Sequence, residues 1–400
     1  MTDKKPEVVR DLQTRFGSVY GLEEAQAIMS VLGRDAPTAG PEVAAFQREF
    51  AAYIGVKHAL AVTNGTAALE MALTALGIGP GDEVITTPMT WVATANAIVT
   101  RGATVVLADV DPRTLNLDPD AAAKKITPRT KAILPVHLYG QCADMDAFTA
   151  LAHKHGLAIV EDAAHVPGGE YKGRKAGSLG HIGCFSFHEQ KNMSTLGEGG
   201  MVTTDDDALA ERVALYRSHC ARDFGGSLKY LPIDETKHPR DERFWWQEFD
   251  DAGYNVRMTD MQAAVGRVQL RKLDELNARR IANAQHLTAR LADIKGVTPP
   301  YVAPDVKHVF HLYLVLIDPG TFGMGKTELM RRLLHEHGIK AGTHYIPVNW
   351  TMAYRKRGHR EGECPVAEAA FERLITLPIH PRLTEADQDY MADAIASLHH

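Results

Sequence analysis

Short apolar or β-branched runs alternate with segments of helical periodicity from about residue 40 to residue 205. This alternation predicts β-α-β units that build a mostly parallel sheet, because each helix returns the chain to the same end of the sheet. Asp144 is the predicted N-cap of one of the helices between the strands. The predicted strands are 58–63, 83–87, 104–109, 131–136, 157–161, 183–187 and 200–204, and the clearest helices between them are 66–76 and 144–156. We therefore expect an α/β fold whose central sheet is flanked by helices.

The pattern is lost in residues 218–252, which mix glycine, proline, charged residues and a Trp pair without periodicity. This composition predicts a long loop. A loop of this length inside a compact domain is uncommon unless it covers a site or an interface.

The last third of the chain has a different order of elements. Helical periodicity returns at 259–295, and later runs resemble strands on either side of a helix. These runs are 308–317 and 340–345, and the helix is 326–337. We predict a large α/β domain over residues 1–256, with an N-terminal helical segment and the long loop, and a smaller α+β domain over residues 257–400.

Composition excludes several kinds of partner. The 400 residues carry a formal net charge of −6 without a basic stripe, which argues against binding to nucleic acid or to an anionic membrane. The N-terminal segment MTDKKPEVVR is charged, and no run of about 18 apolar residues occurs, so we expect a cytoplasmic location. The four cysteines lie far apart and predict neither a metal site nor a disulfide framework. They are Cys142, Cys184, Cys220 and Cys364.

A small turn, Asn64-Gly65-Thr66, joins the first predicted strand to an alanine-rich helix. A glycine-containing turn at a helix N-terminus presents free backbone N–H groups and a hydroxyl, which suits a phosphate. An ordinary helix cap at Asn64 or Thr66 is the alternative interpretation.

Asp162 follows the apolar strand LAIVE, where ligands bind in open α/β sheets. A carboxylate there can pair with a protonated ring nitrogen and keep it charged, as a pyridine electron sink requires. The alternative is that the acid caps the following turn.

Lys191 comes shortly after the predicted strand 183–187, in a glycine-rich segment. An amine beside apolar surface loses its proton more easily and can then form a Schiff base. Most lysines are surface residues, but here a phosphate turn, a strand-end aspartate and a lysine follow one another at the ends of strands of one predicted sheet.

These segments together resemble the DegT/StrS-type sugar aminotransferases, which belong to the fold-type-I pyridoxal 5′-phosphate (PLP) enzymes. The resemblance covers about residues 40–390. It is carried by FQREFAAYIGVKHALAVTNGTAALEMAL, GDEVITTPMTWVATANAI, LPVHLYGQCADMD, IVEDAAH, SFHEQKN with GEGGMVTT, GYNVRMTDMQAAVG and LPIHPRLTEAD.

The resemblance implies that Lys191 holds PLP as a Schiff base and shuttles protons, while Asp162 pairs with the pyridine nitrogen. It implies that the cofactor phosphate is held by Gly65, Thr66 and Ser186.

Three further roles follow from the resemblance. Trp91 would stack on the cofactor ring, and His165 would lie near its 3-hydroxyl. Asn255 would reach the phosphate of the neighbouring subunit, which implies a homodimer with shared active sites. Each residue also has an ordinary structural alternative: Trp91 as a core aromatic, His165 as a buried histidine and Asn255 as a turn residue.

The implied activity is transfer of an amino group from an amino acid, expected to be L-glutamate, to a nucleotide-linked keto-sugar in amino-sugar biosynthesis. Both substrates are small molecules. The alternatives are an aminotransferase for aminocyclitols or other cyclic ketones, a PLP-dependent sugar dehydratase, and a PLP-binding regulator without turnover. Family members that act as sugar dehydratases carry histidine in place of the lysine, so Lys191 favours amino transfer.

Three features depart from the family pattern. The segment KNMSTLGEGG is one residue longer than usual, the loop 218–252 is long, and Asn349 stands where histidine is common. All three fall in regions that we expect to shape the pocket for the amino acceptor.

Overall fold

The computed structural model describes residues 12, 18–34, 38–222 and 248–399. The α-helices are α1 (Leu22–Leu32), α2 (Pro41–Ile54), α3 (Gly65–Ala75), α4 (Ala93–Thr100), α5 (Pro119–Ala123), α6 (Met145–His155), α7 (Asp207–Tyr216), α8 (Asp260–Leu291), α9 (Pro319–Phe322), α10 (Lys326–His337), α11 (Met352–Arg355), α12 (Pro365–Arg373) and α13 (Glu385–Ser397). The strands are β1 (His58–Val62), β2 (Glu83–Thr86), β3 (Thr104–Leu107), β4 (Thr130–Leu134), β5 (Ala158–Asp162), β6 (Glu170–Tyr171), β7 (Arg174–Lys175), β8 (Ile182–Ser186), β9 (Gly200–Thr204), β10 (Ala221–Arg222), β11 (Glu248–Phe249), β12 (Val297–Thr298), β13 (Val306–Lys307), β14 (Tyr313–Ile317) and β15 (Leu374–Leu377).

The central sheet has seven strands in the order β1-β9-β8-β5-β4-β2-β3. β9 pairs antiparallel with both of its neighbours, and the other neighbouring pairs in the sheet are parallel. All seven predicted strands are present, with bounds that differ by no more than two residues. The predicted α/β class with a mostly parallel sheet is therefore confirmed.

The sheet topology brings separate chain segments to one edge. β1, β5 and β8 run in the same direction, so their carboxyl ends lie on the same side of the sheet. The chain continues from these ends into α3, into the turn after Asp162 and into the segment that carries Lys191. The three predicted chemical elements are thus neighbours in space, although about 130 residues separate the first from the last.

Helices cover both faces of the sheet. α3, α4 and α7 pack on one face, whereas α2, α6 and the first half of α8 pack on the other. A third apolar cluster joins the second half of α8 to α10, α13 and the three-stranded sheet β12-β14-β15. α8 therefore contributes to the cores on both sides of the predicted domain boundary at 256/257, which stays a prediction.

Two predicted strands of the last third need correction. The run 308–317 is a strand only from Tyr313, and β13 precedes it at 306–307. The run 340–345 is not a strand. Its one ladder contact among the described residues is the isolated bridge between Gly342 and Thr376. Residues 340–345 line a cavity instead, so their mixed polarity reflects that wall and not a half-buried sheet.

Other predictions have mixed outcomes. The helix 326–337 is found at its predicted bounds, and the Asp144 side chain caps α6 by accepting a hydrogen bond from Ala147. The long helix ends at Leu291, earlier than predicted. Of the predicted loop 218–252, the ends pair as β10 and β11, and residues 223–247 lie outside the described residues. All four cysteines are buried free thiols.

Within the described part of the chain, no helix combines the length and apolarity that crossing a membrane requires.

Candidate active site

A cavity of about 850 Å³ lies at the carboxyl ends of β1, β5 and β8. Residues 340–345 and 376–379 form its opposite wall. Its volume is in the range of cofactor and ligand sites. The structure brings seven of the predicted site residues to its lining: Gly65, Thr66, Trp91, Asp162, His165, Ser186 and Lys191.

Lys191 follows β8 in a turn that its amide closes by donating to the His188 carbonyl at 2.9 Å. Burial lowers the pKa of the Lys191 amine to about 8, and the negative charges of Asp162 and Glu198 oppose this shift. Near neutral pH, a larger fraction of this amine is therefore neutral, and so nucleophilic, than of an ordinary lysine.

Asp162 ends β5 and is 5% exposed. Its Oδ2 accepts a hydrogen bond from Thr94 Oγ1 at 2.8 Å, and its Oδ1 accepts from the Ala164 amide at 3.1 Å. Burial raises the pKa of Asp162 despite these hydrogen bonds and the nearby Lys191. A cationic partner at this carboxylate would offset the cost of its burial.

The N-terminus of α3 forms a cradle beside Ser186. Asn64 caps the helix by accepting from the Ala67 amide at 2.8 Å, which leaves the Gly65 and Thr66 amides at the open end of the helix. A Cβ atom at Gly65 would lie 2.6 Å from the Ser186 Cβ, so the close approach of the two segments requires glycine. Ser186 Oγ accepts from the His188 amide at 3.3 Å, and its own hydroxyl hydrogen can be donated into the cavity. This set of donors suits a phosphate.

Trp91 and His165 present rings to the cavity. Trp91 is 61% exposed, and its ring centroid lies 6.1 Å from that of Tyr345. His165 is buried, and its Nε2 lies 3.2 Å from the Tyr345 hydroxyl. Burial, with the charge of Lys191, holds the pKa of His165 well below its usual value, so the ring is neutral. His165 Nδ1 has no hydrogen-bond partner within the described residues and can take one from a ligand.

Asn255 is the predicted site residue that the structure does not bring to the cavity. It lies on the surface after the long loop and forms an isolated bridge with Ser218. An exposed side chain at this place is available to a neighbouring molecule.

The Asn349 side chain lies outside the cavity lining, although its segment contributes to that lining. It is fully buried, and its amide donates to the Arg360 carbonyl at 2.9 Å and to Glu368 Oε1 at 2.7 Å. It does not line the cavity, so it does not shape an acceptor pocket through direct contact.

Sequence reasoning missed several residues that line the cavity. Thr94, His311, His344 and Tyr345 all do so, and two of them hydrogen-bond a predicted residue. Thr94 stands three positions after Trp91 in the quoted motif, and this proximity was the available signal. His344 and Tyr345 stand five and four positions before Asn349, in a segment expected to shape the acceptor pocket, whereas nothing in the local sequence of His311 indicated the cavity.

A buried carboxylate anchors the strand end beneath the site. Glu161 is fully buried and accepts from His137 Nε2 at 2.9 Å. His137 Nδ1 accepts from the Ala143 amide, so this ring carries its hydrogen on Nε2. Glu161 also accepts at 2.6–2.7 Å from the amides of Gly177, Leu179 and Gly180. These hydrogen bonds fix the end of β5 and therefore the place of Asp162.

These features fit PLP as the bound group. An amine of lowered pKa matches the aldehyde of this cofactor, and a buried carboxylate matches its ring nitrogen. A helix N-terminus with hydroxyls matches its phosphate, and an aromatic side chain matches its flat ring. Two observations support the same conclusion. His165 Nδ1 can still accept or donate a hydrogen bond, and the absence of a side chain at Gly65 leaves space beside Ser186.

Comparison with known proteins identifies the family. The model of the DegT/DnrJ/EryC1/StrS aminotransferase family matches residues 20–396. The chain is 40% identical to the dTDP-3-amino-3,4,6-trideoxy-alpha-D-glucose transaminase of Streptomyces venezuelae, over 96% of this chain and 94% of that relative. It is 41% identical to the GDP-perosamine synthase of Caulobacter vibrioides, over 89% of this chain and 90% of that relative.

Solved structures agree. DesV from S. venezuelae is 39% identical and superposes with a TM-score of 0.84, over 94% of each chain. The PLP form of Spr1654, a putative sugar aminotransferase from Streptococcus pneumoniae, is 27% identical with a TM-score of 0.85, over 95% of this chain and 96% of that one. The chain therefore belongs to the DegT/DnrJ/EryC1/StrS aminotransferase family and is a PLP-dependent aminotransferase.

Proposed function

We propose that the protein transfers an amino group from L-glutamate to the ketone carbon of a nucleotide-linked sugar. The observation that carries this proposal is the pairing of a partly buried amine of lowered pKa, Lys191, with the buried carboxylate Asp162 in one cavity. Both named relatives act on sugars attached to a nucleotide, as their names state. The cavity of about 850 Å³ has room for a sugar beside the cofactor.

Lys191 and Asp162 have the central roles in this proposal. PLP, when bound, carries the amine between the two substrates and takes up negative charge in its ring. Lys191 binds the cofactor through Nζ and, once released from it, moves a proton at the same atom between substrate carbon and cofactor. A protonated ring nitrogen would hold Asp162 in its ionised form and offset the effect of burial, and Thr94 orients the carboxylate.

The remaining residues bind and orient the cofactor. The amides of Gly65 and Thr66 and the hydroxyl of Ser186 donate to its phosphate. Trp91 covers one face of the ring. His165, held by Tyr345, offers Nδ1 to the ring hydroxyl.

We also propose that the protein is a homodimer in which Asn255 completes the phosphate site of the partner. Support comes from an apolar stripe on the outer face of α1, since its inner face packs on α8. Leu22, Met29 and Leu32 on this stripe are 73%, 68% and 64% exposed. A row of large apolar side chains at helical spacing is typical of a surface that another molecule covers.

A two-stage assay tests the reaction. The loaded protein is first mixed with L-glutamate, and the loss of cofactor absorbance and formation of 2-oxoglutarate are measured. Nucleotide-linked keto-sugars are then added, and the products are weighed by mass spectrometry. We expect a product in which an amine and a hydrogen have replaced the ketone oxygen. Amination of unlinked keto-cyclitols alone, or loss of water without amination, would contradict the proposal. Failure of glutamate and of every other amino donor would indicate a binding protein without turnover.

A further inference from the structure

Asn277 lies on α8, away from the cavity lining, and is fully buried. Its side chain connects two segments that carry site residues. Asn277 Oδ1 accepts from Asn192 Nδ2 at 3.0 Å, and Asn277 Nδ2 donates to the Pro167 carbonyl at 2.9 Å. Asn192 directly follows Lys191, and Pro167 is two positions after His165. One side chain thus bridges the segments that place the amine and the imidazole.

The hydrogen bonds of this network have a defined direction. Asn192 Nδ2 donates both to Asn277 and to the Val309 carbonyl, at 2.9 Å, so both hydrogens of this amide are used. Asn192 Oδ1, 3.3 Å from His311 Nδ1, must therefore accept from that ring. Burial holds the pKa of His311 well below its usual value, so the ring is neutral and its Nε2 carries the lone pair. His311 lines the cavity with its ring centroid 4.4 Å from that of His165.

The turn after His165 also packs tightly against Asn277. Gly168 has a φ of +80°, and a Cβ there would lie 2.7 Å from Asn277 Nδ2. The turn therefore approaches α8 as closely as a glycine permits. A contact this tight leaves no room for water between the two segments.

We infer that Asn277 is a positioning residue that holds the Lys191 segment and the His165 turn in register from α8. It acts through Asn192 and Pro167 and touches neither cofactor nor substrate. This inference rests on the proposed role of Lys191 as the cofactor anchor. Without Asn277, both segments lose their shared partner and the Lys191 amine becomes more exposed to water, because the remaining members of a buried polar network are then left unsatisfied.

The same helix offers a matched control. Asn283 is six residues further along α8, and its side chain makes a comparable set of hydrogen bonds. Its Nδ2 donates to the His380 and Leu383 carbonyls at 3.0 and 3.4 Å, and its Oδ1 accepts from Gln388 at 3.0 Å. These contacts tie α8 to α13 and its preceding loop and do not involve the Lys191 segment.

The test follows the titration of Lys191 in cofactor-free protein. The protein is labelled at a series of pH values with acetic anhydride, and the label on the Lys191 peptide is quantified by mass spectrometry. Wild-type protein and Asn283→Ala should show half-maximal labelling near pH 8, the value to which burial lowers the pKa of Lys191. Asn277→Ala should shift this midpoint upward by about half a unit or more, because admitted water favours the charged amine.

Two further variants keep the test decisive. Asn277→Leu keeps the branched shape of the side chain and its number of heavy atoms, and should give the same shift if Asn277→Ala does not fold. Asn192→Ala should also shift the midpoint, and combining it with Asn277→Ala should add little, since the two residues act in series. An unchanged Lys191 midpoint in folded Asn277 variants, or an equal shift in Asn283→Ala, would overturn the inference. No donor or sugar is used, so failure of the proposed reaction leaves this readout unaffected.

Discussion

Burial shifts the protonation of the two central residues, Lys191 and Asp162, toward their neutral forms. Both positions could be predicted from the sequence, because each follows a recognisable strand and the order of the motifs is specific. The hydrogen-bond partners of Asp162 and of His165 could not be predicted. Thr94 is 68 positions from Asp162, and Tyr345 is 180 positions from His165, so only the folded chain brings these pairs together.

The lowered pKa of Lys191 predicts the pH dependence of cofactor loading. The neutral amine reacts, so the second-order rate of PLP binding to cofactor-free protein should rise through pH 8 and level off by about pH 9. Stopped-flow absorbance measures this rate, and reaction of PLP with Nα-acetyl-lysine corrects for titration of the cofactor itself. A rate that still rises tenfold per unit above pH 9 would mean that the amine has its ordinary pKa.

Asp162→Asn should lower kcat by about 10²-fold or more, because a neutral amide cannot keep the ring nitrogen charged. The rate of the glutamate half-reaction measures this effect. Asp144→Asn is the matched control, because asparagine caps α6 as well as aspartate does and the site is untouched. Equal rates for the two variants would remove Asp162 from the proposed mechanism.

At the scale of elements, the strands and α3 could be predicted closely, since apolar runs and a capped helix are local signals. The structure of segment 340–345 could not be predicted. Its residues line the cavity wall, and their mixed polarity suits a ligand and not a half-buried sheet. The segment that carries Asn349 contributes to the cavity lining, whereas the Asn349 side chain lies outside it. Its hydrogen bond to Glu368 is a contact that a motif comparison does not reveal.

The N-terminus of α3 offers a test that separates helix stability from anion binding. Asn64→Asp keeps a good cap for the Ala67 amide but adds a negative charge at the phosphate cradle. The thermal midpoint of the cofactor-free protein should stay unchanged, while the Kd for PLP should rise about tenfold, or about 1.4 kcal/mol. Calorimetry and equilibrium dialysis measure the two quantities. An unchanged Kd would place the phosphate elsewhere.

At the scale of the whole molecule, residues of two of the three apolar cores line one cavity, and the lining includes residues from both the first and the last third of the chain. The sequence predicts that the strand ends meet, but not which C-terminal segment closes the cavity, because that depends on packing between distant elements. Asn255 lies outside the cavity of its own chain, and the outer face of α1 is apolar. Both features are explained if a second copy completes the site.

Mixing two inactive variants tests this shared site. Lys191→Ala and Asn255→Ala should each have low activity at limiting PLP, but a mixed dimer has one site with both residues intact. Equimolar mixing with subunit exchange should restore up to about a quarter of wild-type activity, because half of the dimers are mixed and each has one good site. Adding Met29→Lys to both variants should abolish the recovery if α1 forms the interface. No recovery despite exchange, shown by native mass spectrometry, would contradict the shared site.

The identity of the anchoring residue is the central claim, and reductive trapping tests it most directly. The PLP-loaded protein is treated with borohydride and digested, and the peptides are weighed. We predict a covalent cofactor adduct on the Lys191 peptide of wild-type protein and none on the corresponding peptide of Lys191→Ala. An adduct on another lysine of the wild-type protein, with Lys191 unmodified, would contradict the account.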